Sequence, residues 1–365
     1  MTRHPLLVAL ALVAIACGSD PEPMGIGPID PMEDPTDPTD PSDPSDPTDP
    51  TDPSDPTDPT DPTDPEVPDA TAPSVVSTTP EDGALGQLAE VSIDLEFSEP
   101  MDVDSVREAL DTTALGLVDV TWNTDQTVFT ITPLVPLAYA DGLGQDPATV
   151  DPLLYVVTLA DTAHDLAGNP LDVGVRVELG TLRLLDAVLS DIPALTASIT
   201  PSEVVEVDGG HLEIGDDASD GGVRAAFTFD LAPLPADTAE ITSARLRAAQ
   251  LINWTIGTPY DDLGDAVHLD HVSFTTLQTE LGINAAFNAT QVSLASHEGF
   301  VEPGVTFIDF DVTADVQDDL SERAFRGDRA QFLAYFDDPT DLEHDDDLIV
   351  LNRPNLALEV VYLAP

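Results

Sequence analysis

Residues 91–97 read VSIDLEF, and this segment decides the fold class. Apolar side chains stand at every odd position, and polar side chains stand between them. Successive side chains of an extended strand point to opposite faces, so the apolar set forms one face and the polar set the other. This period of two is typical of a β-strand that buries one side.

The same alternation of apolar and polar residues continues along the chain toward residue 180. Three more segments share the alternation, at residues 127–131, 153–159 and 173–179. Turn sequences separate them, EDG at 81–83 and GNP at 168–170. One short helical turn fits residues 103–109. We therefore predict a small antiparallel β-sandwich over residues 72–180.

Three motifs in this part resemble a known domain family. They are APSVVSTTP at 72–80, FSEPMD at 97–102, and a stretch from Tyr155 to Leu171 that ends in DLAGNPL. In this order they resemble the S-layer-type bacterial immunoglobulin-like domain. The resemblance implies an Ig-like β-sandwich that serves as a surface spacer or adhesive module, without catalysis.

Residues 181–365 also read as strands with few helix signals. Alternation is clearest at 223–231, and shorter strands are expected at 307–312, 331–336, 348–351 and 357–362, with one helix after Thr313. Many strands joined by long connections favour a jelly-roll β-sandwich. The predicted fold class is thus all-β: an Ig-like sandwich followed by a jelly roll.

The second part has its own family resemblance. The segments are HLEIGDDASDGGVRAAFTFDL from His211, ITSARLRAAQ from Ile241, PYDDLGDAVHLDHV from Pro259, DFDVTADVQDDL from Asp309 and RPNLALEVVY from Arg353. They resemble jelly-roll modules of the DNRLRE type, which are relatives of carbohydrate-binding modules. The resemblance implies glycan contact or structural support in large surface proteins.

The N-terminus predicts export and lipid anchoring. Residues 1–17 have a basic start at Arg3, an apolar run, and Ala16 directly before Cys17. This pattern resembles the lipobox of bacterial lipoproteins, which implies acyl chains on Cys17 that attach the protein to a membrane. Position 18, directly after the cysteine, is glycine and not the aspartate that resembles an inner-membrane retention signal. The protein is therefore expected at the outer membrane or cell surface.

An acidic stalk is predicted at residues 18–71. From Asp34 to Pro65, eleven Asp-Pro pairs recur at three-residue spacing. Proline removes one backbone donor in three, and no apolar side chain is available for burial, so the segment is expected to be disordered. Fully extended, the 32 residues from Asp34 to Pro65 would reach about 100 Å at the rise of a polyproline helix.

Charge excludes one class of partner. The chain has 70 acidic residues against 11 basic ones, all arginine, and a net charge of −59. The stalk accounts for only part of this, since 53 acids follow residue 70. Such a field repels phosphate backbones, so no nucleic acid partner is expected.

A candidate metal site is the run DLEHDDD at 341–347. Acids stand at alternate positions and place their oxygens on one side of an extended loop; they are Asp341, Glu343, Asp345 and Asp347. Calcium takes six to eight oxygen ligands, so calcium is the candidate cofactor. The remaining ligands would come from Asp216, Asp217, Asp261 or Asp262. The alternative interpretation is a solvated acidic loop.

Two aromatic residues are candidates for ligand binding. Trp254 and Tyr260 would form a stacking platform for a sugar ring if their faces were exposed. The alternative is burial of Trp254 in the core, in phase with Ile252 and Ile256.

A zinc site at His268 and His271 is not expected. Positions three apart in a strand face opposite sides, so the two imidazoles would diverge.

No catalytic residues are predicted, because no nucleophile elbow, phosphate loop or HExxH segment occurs in the sequence. The sequence therefore predicts a non-enzymatic, lipid-anchored cell-surface protein for adhesion, glycan binding or envelope structure. The alternative is an accessory or catalytic part of an extracellular carbohydrate-active hydrolase, which requires carboxylates that converge in a cleft.

Overall fold

Strands dominate the computed structural model, which describes residues 68–205, 210–277, 284–302 and 304–365. The predicted signal segment with Cys17, and the predicted stalk up to residue 67, lie outside the described residues. All described residues belong to one compact unit that begins at Glu66. In this part of the chain, no helix is long and apolar enough to cross a membrane.

The elements up to residue 181 build the first sandwich. Its strands are β1 (Val75–Thr79), β2 (Ala84–Gln87), β3 (Ile93–Phe97), β4 (Leu110–Asp111), β5 (Val118–Trp122), β6 (Val128–Pro133), β8 (Leu154–Leu159) and β9 (Val175–Thr181). The short strand β7 (Ala140–Asp141) lies between β6 and β8 in the chain but pairs with a sheet of the second sandwich. Helix α1 spans Val103–Ala109, and 3-10 turns span Thr113–Leu115 and Pro147–Thr149.

The remaining elements build the second sandwich. Its strands are β10 (Arg183–Leu189), β11 (Ala197–Ile199), β12 (Val204–Val205), β13 (His211–Asp217), β14 (Gly221–Asp230), β15 (Glu240–Gln250), β16 (Ala266–Ser273), β17 (Thr290–Phe300), β18 (Phe307–Asp311), β19 (Arg329–Phe336) and β20 (Asp347–Ala364). Its helices are α2 (Pro259–Asp262), α3 (Thr313–Ser321) and α4 (Arg323–Arg326), with 3-10 turns at Pro193–Leu195 and Ile252–Trp254.

Two four-stranded sheets form the first sandwich, in the orders β1-β3-β6-β5 and β2-β9-β8-β4. The alternation in β3 works as predicted, since Ile93, Leu95 and Phe97 are buried while the residues between them are not. Phe129 on β6 is fully buried beside them. Helix α1 occupies the predicted residues, and the carboxylate of Asp102 caps it by accepting the Ser105 backbone N–H at 2.8 Å.

The second sandwich is organised around β20. On one side β20 pairs with β15, which in turn pairs with β18. On the other side the first half of β20 pairs with β13 and the second half with β10. The opposing sheet runs β12-β11-β14-β19-β16-β17, and the β13–β14 pairing joins the two sheets. The all-β sandwich class predicted from the sequence is confirmed.

One difference from the predicted strands concerns β20. The expected strands at 348–351 and 357–362 are a single strand of 18 residues. The pairing with β15 jumps from Ala249–Asn352 to Arg247–Ala357, so a four-residue bulge lies between them. Pro354 falls in this bulge, where no ladder hydrogen bond requires its missing N–H. A proline inside a continuous strand is therefore tolerated here.

A buried ionic network links the sheet to α3. His271 on β16 is 0% exposed, and its Nε2 lies 2.9 Å from a carboxylate oxygen of Asp319. Its Nδ1 lies 3.4 Å from a carboxylate oxygen of Asp315, which also contacts His297 Nε2 at 2.5 Å. Arg326 contacts the other Asp319 oxygen. The sandwich thus buries two carboxylates with three basic partners.

The network fixes the protonation of its central group. Burial alone would lower the pKa of His271, but Asp315 and Asp319 outweigh burial and raise it to about 9. Burial opposes ionisation of Asp315 as well, yet its two histidine partners hold its pKa below the ordinary value. His271 is therefore an imidazolium at neutral pH.

This network predicts a pH-dependent stability. The charge on His271 stabilises the fold fully below pH 6.5, and that stabilisation is lost as the pH rises through about 9. The change His271→Asn is expected to lower the free energy of unfolding by about 3 kcal/mol at neutral pH, because two buried carboxylates lose their shared cation. Urea unfolding of the full chain across this pH range measures both effects.

A matched control lies on the same strand. His268 is half-buried and stacks on Tyr335 with ring centroids 5.8 Å apart. His268→Asn is expected to change stability by less than about 1 kcal/mol and to keep the alkaline loss. Equal effects of the two substitutions would contradict the assigned charge on His271.

Candidate functional site

The pairing of β13 with β20 places two buried acids at facing positions of the ladder. Asp216 and Asp347 are cross-strand partners, and they are 0% and 2% exposed. Gly215 permits this close approach: its φ is 145°, and a Cβ there would lie 1.9 Å from the backbone oxygen of Asp347. The ladder therefore fixes the backbone of each acid at a buried position.

Five more acids surround this pair. Three sets of three residues each have ligand oxygens within 4.8 Å of one another: Asp216, Asp220 and Asp341; Asp262, Asp341 and Asp347; and Asp341, Glu343 and Asp345. We call these seven residues the Asp341 cluster, since Asp341 belongs to every set. Its members come from the end of β13, the following turn, α2, and the loop before β20.

Local turns aim these side chains. Asp220 has a φ of 55° in the turn between β13 and β14, and its Oδ1 accepts the His344 backbone N–H at 3.0 Å. His344 and Leu342 have φ values of 63° and 65°, so the loop folds back on itself. Folding back, rather than extension, brings Asp341 over the β13–β14 turn.

The helix α2 supplies the other side of the cluster. Gly257, with a φ of 65°, lies so close that a Cβ would be 2.2 Å from Asp347 Oδ1. This approach lets the Thr258 backbone N–H donate to the same carboxylate. Asp262 lies in α2 and receives a hydrogen bond from the Thr258 hydroxyl.

The electrostatics of the cluster are repulsive. Burial raises the pKa of Asp216, and the neighbouring Asp220 and Asp341 raise it further. Burial also raises the pKa of Asp347, with Asp262 adding to the effect. Among the described residues, the basic side chain within ion-pair range of the cluster is His344, which contacts Asp220. Hydrogen bonds offset this repulsion only in part.

The structure splits the predicted calcium ligands into two groups. Asp341, Glu343 and Asp345 come together on the outside, where the last two are exposed. Asp347 is buried, and its carboxylate lies near those of Asp341 and the exposed Asp262. The expected extended loop with four oxygens on one side is wrong, because of the positive φ angles at 342 and 344.

The four supplementary candidates divide into two that join the cluster and two that do not. Asp216 and Asp262 join the cluster as expected, whereas Asp217 and Asp261 belong to none of the three sets. Asp217 instead caps its own turn and accepts the Ser219 and Gly221 backbone N–H groups. Sequence reasoning missed Asp220, because only the folded-back loop brings it to Asp341.

The two candidate aromatic residues occupy different environments. Trp254 ends a 3-10 turn, is 54% exposed, and makes an edge contact with His211 at 4.6 Å between ring centroids. The alternative, burial of Trp254 in phase with Ile252, is wrong because β15 ends at Gln250. Tyr260 packs against the core, and its hydroxyl accepts a hydrogen bond from Gln250.

The two histidines of β16 diverge, as the strand period predicts. His271 faces the core, whereas His268 stacks on Tyr335 on the other face and lies 3.7 Å from Asp337. They therefore do not meet at one metal.

A groove of about 700 Å³ lies beside α3 and reaches Leu88 of the first sandwich. Two acids line it, Glu240 and Asp311. Hydrogen bonds from the Thr313 hydroxyl and backbone lower the pKa of Asp311. Glycoside hydrolysis needs a carboxylic acid with a raised pKa, and Asp311 does not supply one.

A comparison with family models gives one match. Residues 69–178 match a model described as a bacterial Ig-like domain. The match confirms the Ig-like prediction for the first sandwich, and it covers less than half of the chain. No curated protein shows a significant match.

The solved structures with weak similarity to the chain include surface layer proteins. The chain has 11% identity to surface layer protein SbsC, domains 1–6, over 66% of this chain and 33% of that chain, with a TM-score of 0.21. The S-layer protein rSbsC(31–844) gives 11% identity over 63% and 33%, with the same TM-score of 0.21. This chain thus spans a third of their length. A likeness at this level carries no argument about fold or function.

The repulsion in the cluster predicts an unusual stabilising substitution. In chelator, Asp216→Asn is expected to raise the melting temperature by roughly 3 °C, for about 1 kcal/mol of relieved repulsion. The new amide can also donate to Asp220 or Asp341. Thermal unfolding of the full chain measures the shift.

Asp217→Asn is the matched control, since it removes the same charge from the adjacent residue. It is expected to give no rise in melting temperature, because the Asp217 carboxylate accepts a backbone hydrogen bond in its own turn and the substitution weakens it. Equal rises for both variants would show that total charge, rather than the buried pair, sets the stability.

Proposed function

We propose that the chain is a non-enzymatic, lipid-anchored protein of the cell surface. Acyl chains on Cys17 would hold it at the membrane, and the acidic stalk would carry the two sandwiches outward. The observation that carries this proposal is the bacterial Ig-like domain at residues 69–178, preceded by a lipobox-like sequence and a proline-rich spacer. Two acyl chains on one cysteine are enough for stable anchoring.

The distribution of carboxylates supports a role without catalysis. Asp216 and Asp347 have the raised pKa that a general acid needs, but they are 0% and 2% exposed and cannot reach a substrate. In the open groove, the pKa of Asp311 is lowered. Binding and support are therefore favoured over hydrolysis by these residues.

The head would act in adhesion or in envelope structure. The resemblance of residues 181–365 to DNRLRE-type modules supports glycan contact, and this is an argument from analogy. Trp254 offers an exposed aromatic face of the kind that stacks on sugar rings. Tyr260 packs against the core, so it would support the segment that carries Trp254 and would not itself stack on the sugar.

Replacement of the anchor residue tests the proposed location. Cys17→Ser is expected to leave an unprocessed precursor that incorporates no fatty acid and partitions into the aqueous phase of a detergent separation. Ser19→Ala, two residues away, is expected to behave as wild type. Normal processing and detergent-phase partition of the Cys17→Ser protein would contradict lipid anchoring.

A glycan array of the full chain with Cys17→Ser tests the proposed adhesion. Any glycan bound is expected to lose at least about tenfold in affinity on Trp254→Ala, the loss of one stacking contact. Phe325→Ala is the matched control, because Phe325 is another exposed aromatic residue at 89% exposure. Absence of glycan binding at millimolar concentration would leave envelope structure as the proposed role.

A further inference from the structure

The buried carboxylate of Asp216 lacks the hydrogen-bond donors or the cation that a buried charge requires. Its side chain is 0% exposed, and neither carboxylate oxygen has a hydrogen-bond partner within the described residues. The Thr340 hydroxyl and the Asp341 backbone N–H lie near enough to lower its pKa, but burial outweighs them. Protonation would satisfy one oxygen at most, as a donor to Asp220 or Asp341, and would leave the other oxygen of Asp216 buried without a partner.

Buried carboxylates without partners are costly, so an external cation is the remaining solution. Elsewhere the same sandwich supplies its own cations, as at His271. Around Asp216 it supplies only His344, at the far side of Asp220. The acids of the two inner sets, five carboxylates in all, therefore have an excess of negative charge that two divalent cations would nearly cancel.

The spacing of the oxygens fits calcium. Ligand oxygens on opposite sides of a calcium ion lie about 4.8 Å apart, twice the metal–oxygen distance. Each inner set has its oxygens within 4.8 Å of one another. The two sets are separate but share Asp341, whose two oxygens allow it to contact two ions.

We propose that the Asp341 cluster binds two calcium ions. One ion lies between Asp216, Asp220 and Asp341, and the second lies between Asp262, Asp341 and Asp347. Asp341 bridges the two ions. Backbone oxygens and water complete each shell, which calcium accepts because its coordination geometry is flexible.

The donor set selects calcium over other metals. All side-chain ligands are carboxylates, and hard oxygen ligands suit calcium and magnesium rather than zinc or copper. Magnesium demands near-octahedral geometry and dehydrates reluctantly, so a crowded carboxylate cage disfavours it. Glu343 and Asp345 are exposed and belong to the outer set alone, so they are not ligands of either ion.

Binding would connect segments that are distant along the chain. The ions would hold together the end of β13, the turn before β14, α2 and the loop before β20. Trp254 lies in the segment between β15 and α2, so calcium would also order the exposed face proposed for glycan contact. The calcium proposal does not depend on that contact.

Isothermal titration of the chelator-treated full chain with calcium chloride tests the proposal. The wild type is expected to bind two calcium ions per chain, and magnesium is expected to bind at least about tenfold more weakly. Asp216→Asn is expected to remove one ion and Asp262→Asn the other. Asp341→Asn is expected to weaken both by at least about tenfold, because each loses a charged ligand. Glu343→Gln is the control and is expected to keep both ions.

Three other outcomes of the titration would each overturn one part of the calcium proposal. No saturable calcium binding at millimolar concentration overturns the site itself. One ion per chain with unchanged binding in Asp262→Asn overturns the bridged pair. Equal weakening in Glu343→Gln and Asp341→Asn means diffuse attraction to the acidic surface. Asp262 is exposed, so its variant keeps the fold and gives a result even if Asp216→Asn does not.

Discussion

The antiparallel pairing of β13 with β20 is the constraint on which the rest of the structure depends. β20 also pairs with β10 and β15, so it cannot shift without breaking three ladders. The register places Asp216 opposite Asp347 and leaves neither side chain free to reach solvent. Backbone hydrogen bonds thus fix both carboxylates at buried positions, so the negative charge of each must be compensated there.

The protein handles buried charge in two contrasting ways. Between β16 and α3, Asp315 and Asp319 meet His271, His297 and Arg326, so the charges are compensated within the chain. In the Asp341 cluster the chain provides almost no compensation, although arginines are available elsewhere on the surface. Basic residues are scarce, with 11 against 70 acids, but the contrast also reflects where the chain places them. A cation from the medium is the natural complement of the second site.

Much of the fold could be predicted from periodicity, and much of the site could not. Strand β3 and the short helix at residues 103–109 were predicted correctly, because the signals for both lie within a few residues. Periodicity left the burial of Trp254 open, because the alternation in the sequence continues past the end of β15, where the chain turns. Asp220 was missed because positive φ angles at 342 and 344 fold the loop onto a distant hairpin turn. Contacts set by tertiary packing leave no local signal in a single sequence.

The central claim is that calcium, rather than protons or protein groups, completes the coordination of Asp216. Crystals of the full chain grown with calcium, measured at a wavelength where calcium scatters anomalously, test it most directly. The account predicts two anomalous peaks, each about 2.4 Å from an oxygen of Asp341, one of them also in contact with Asp216. A map without a peak in the cluster, in which protein or water donors bind the Asp216 carboxylate, would contradict it.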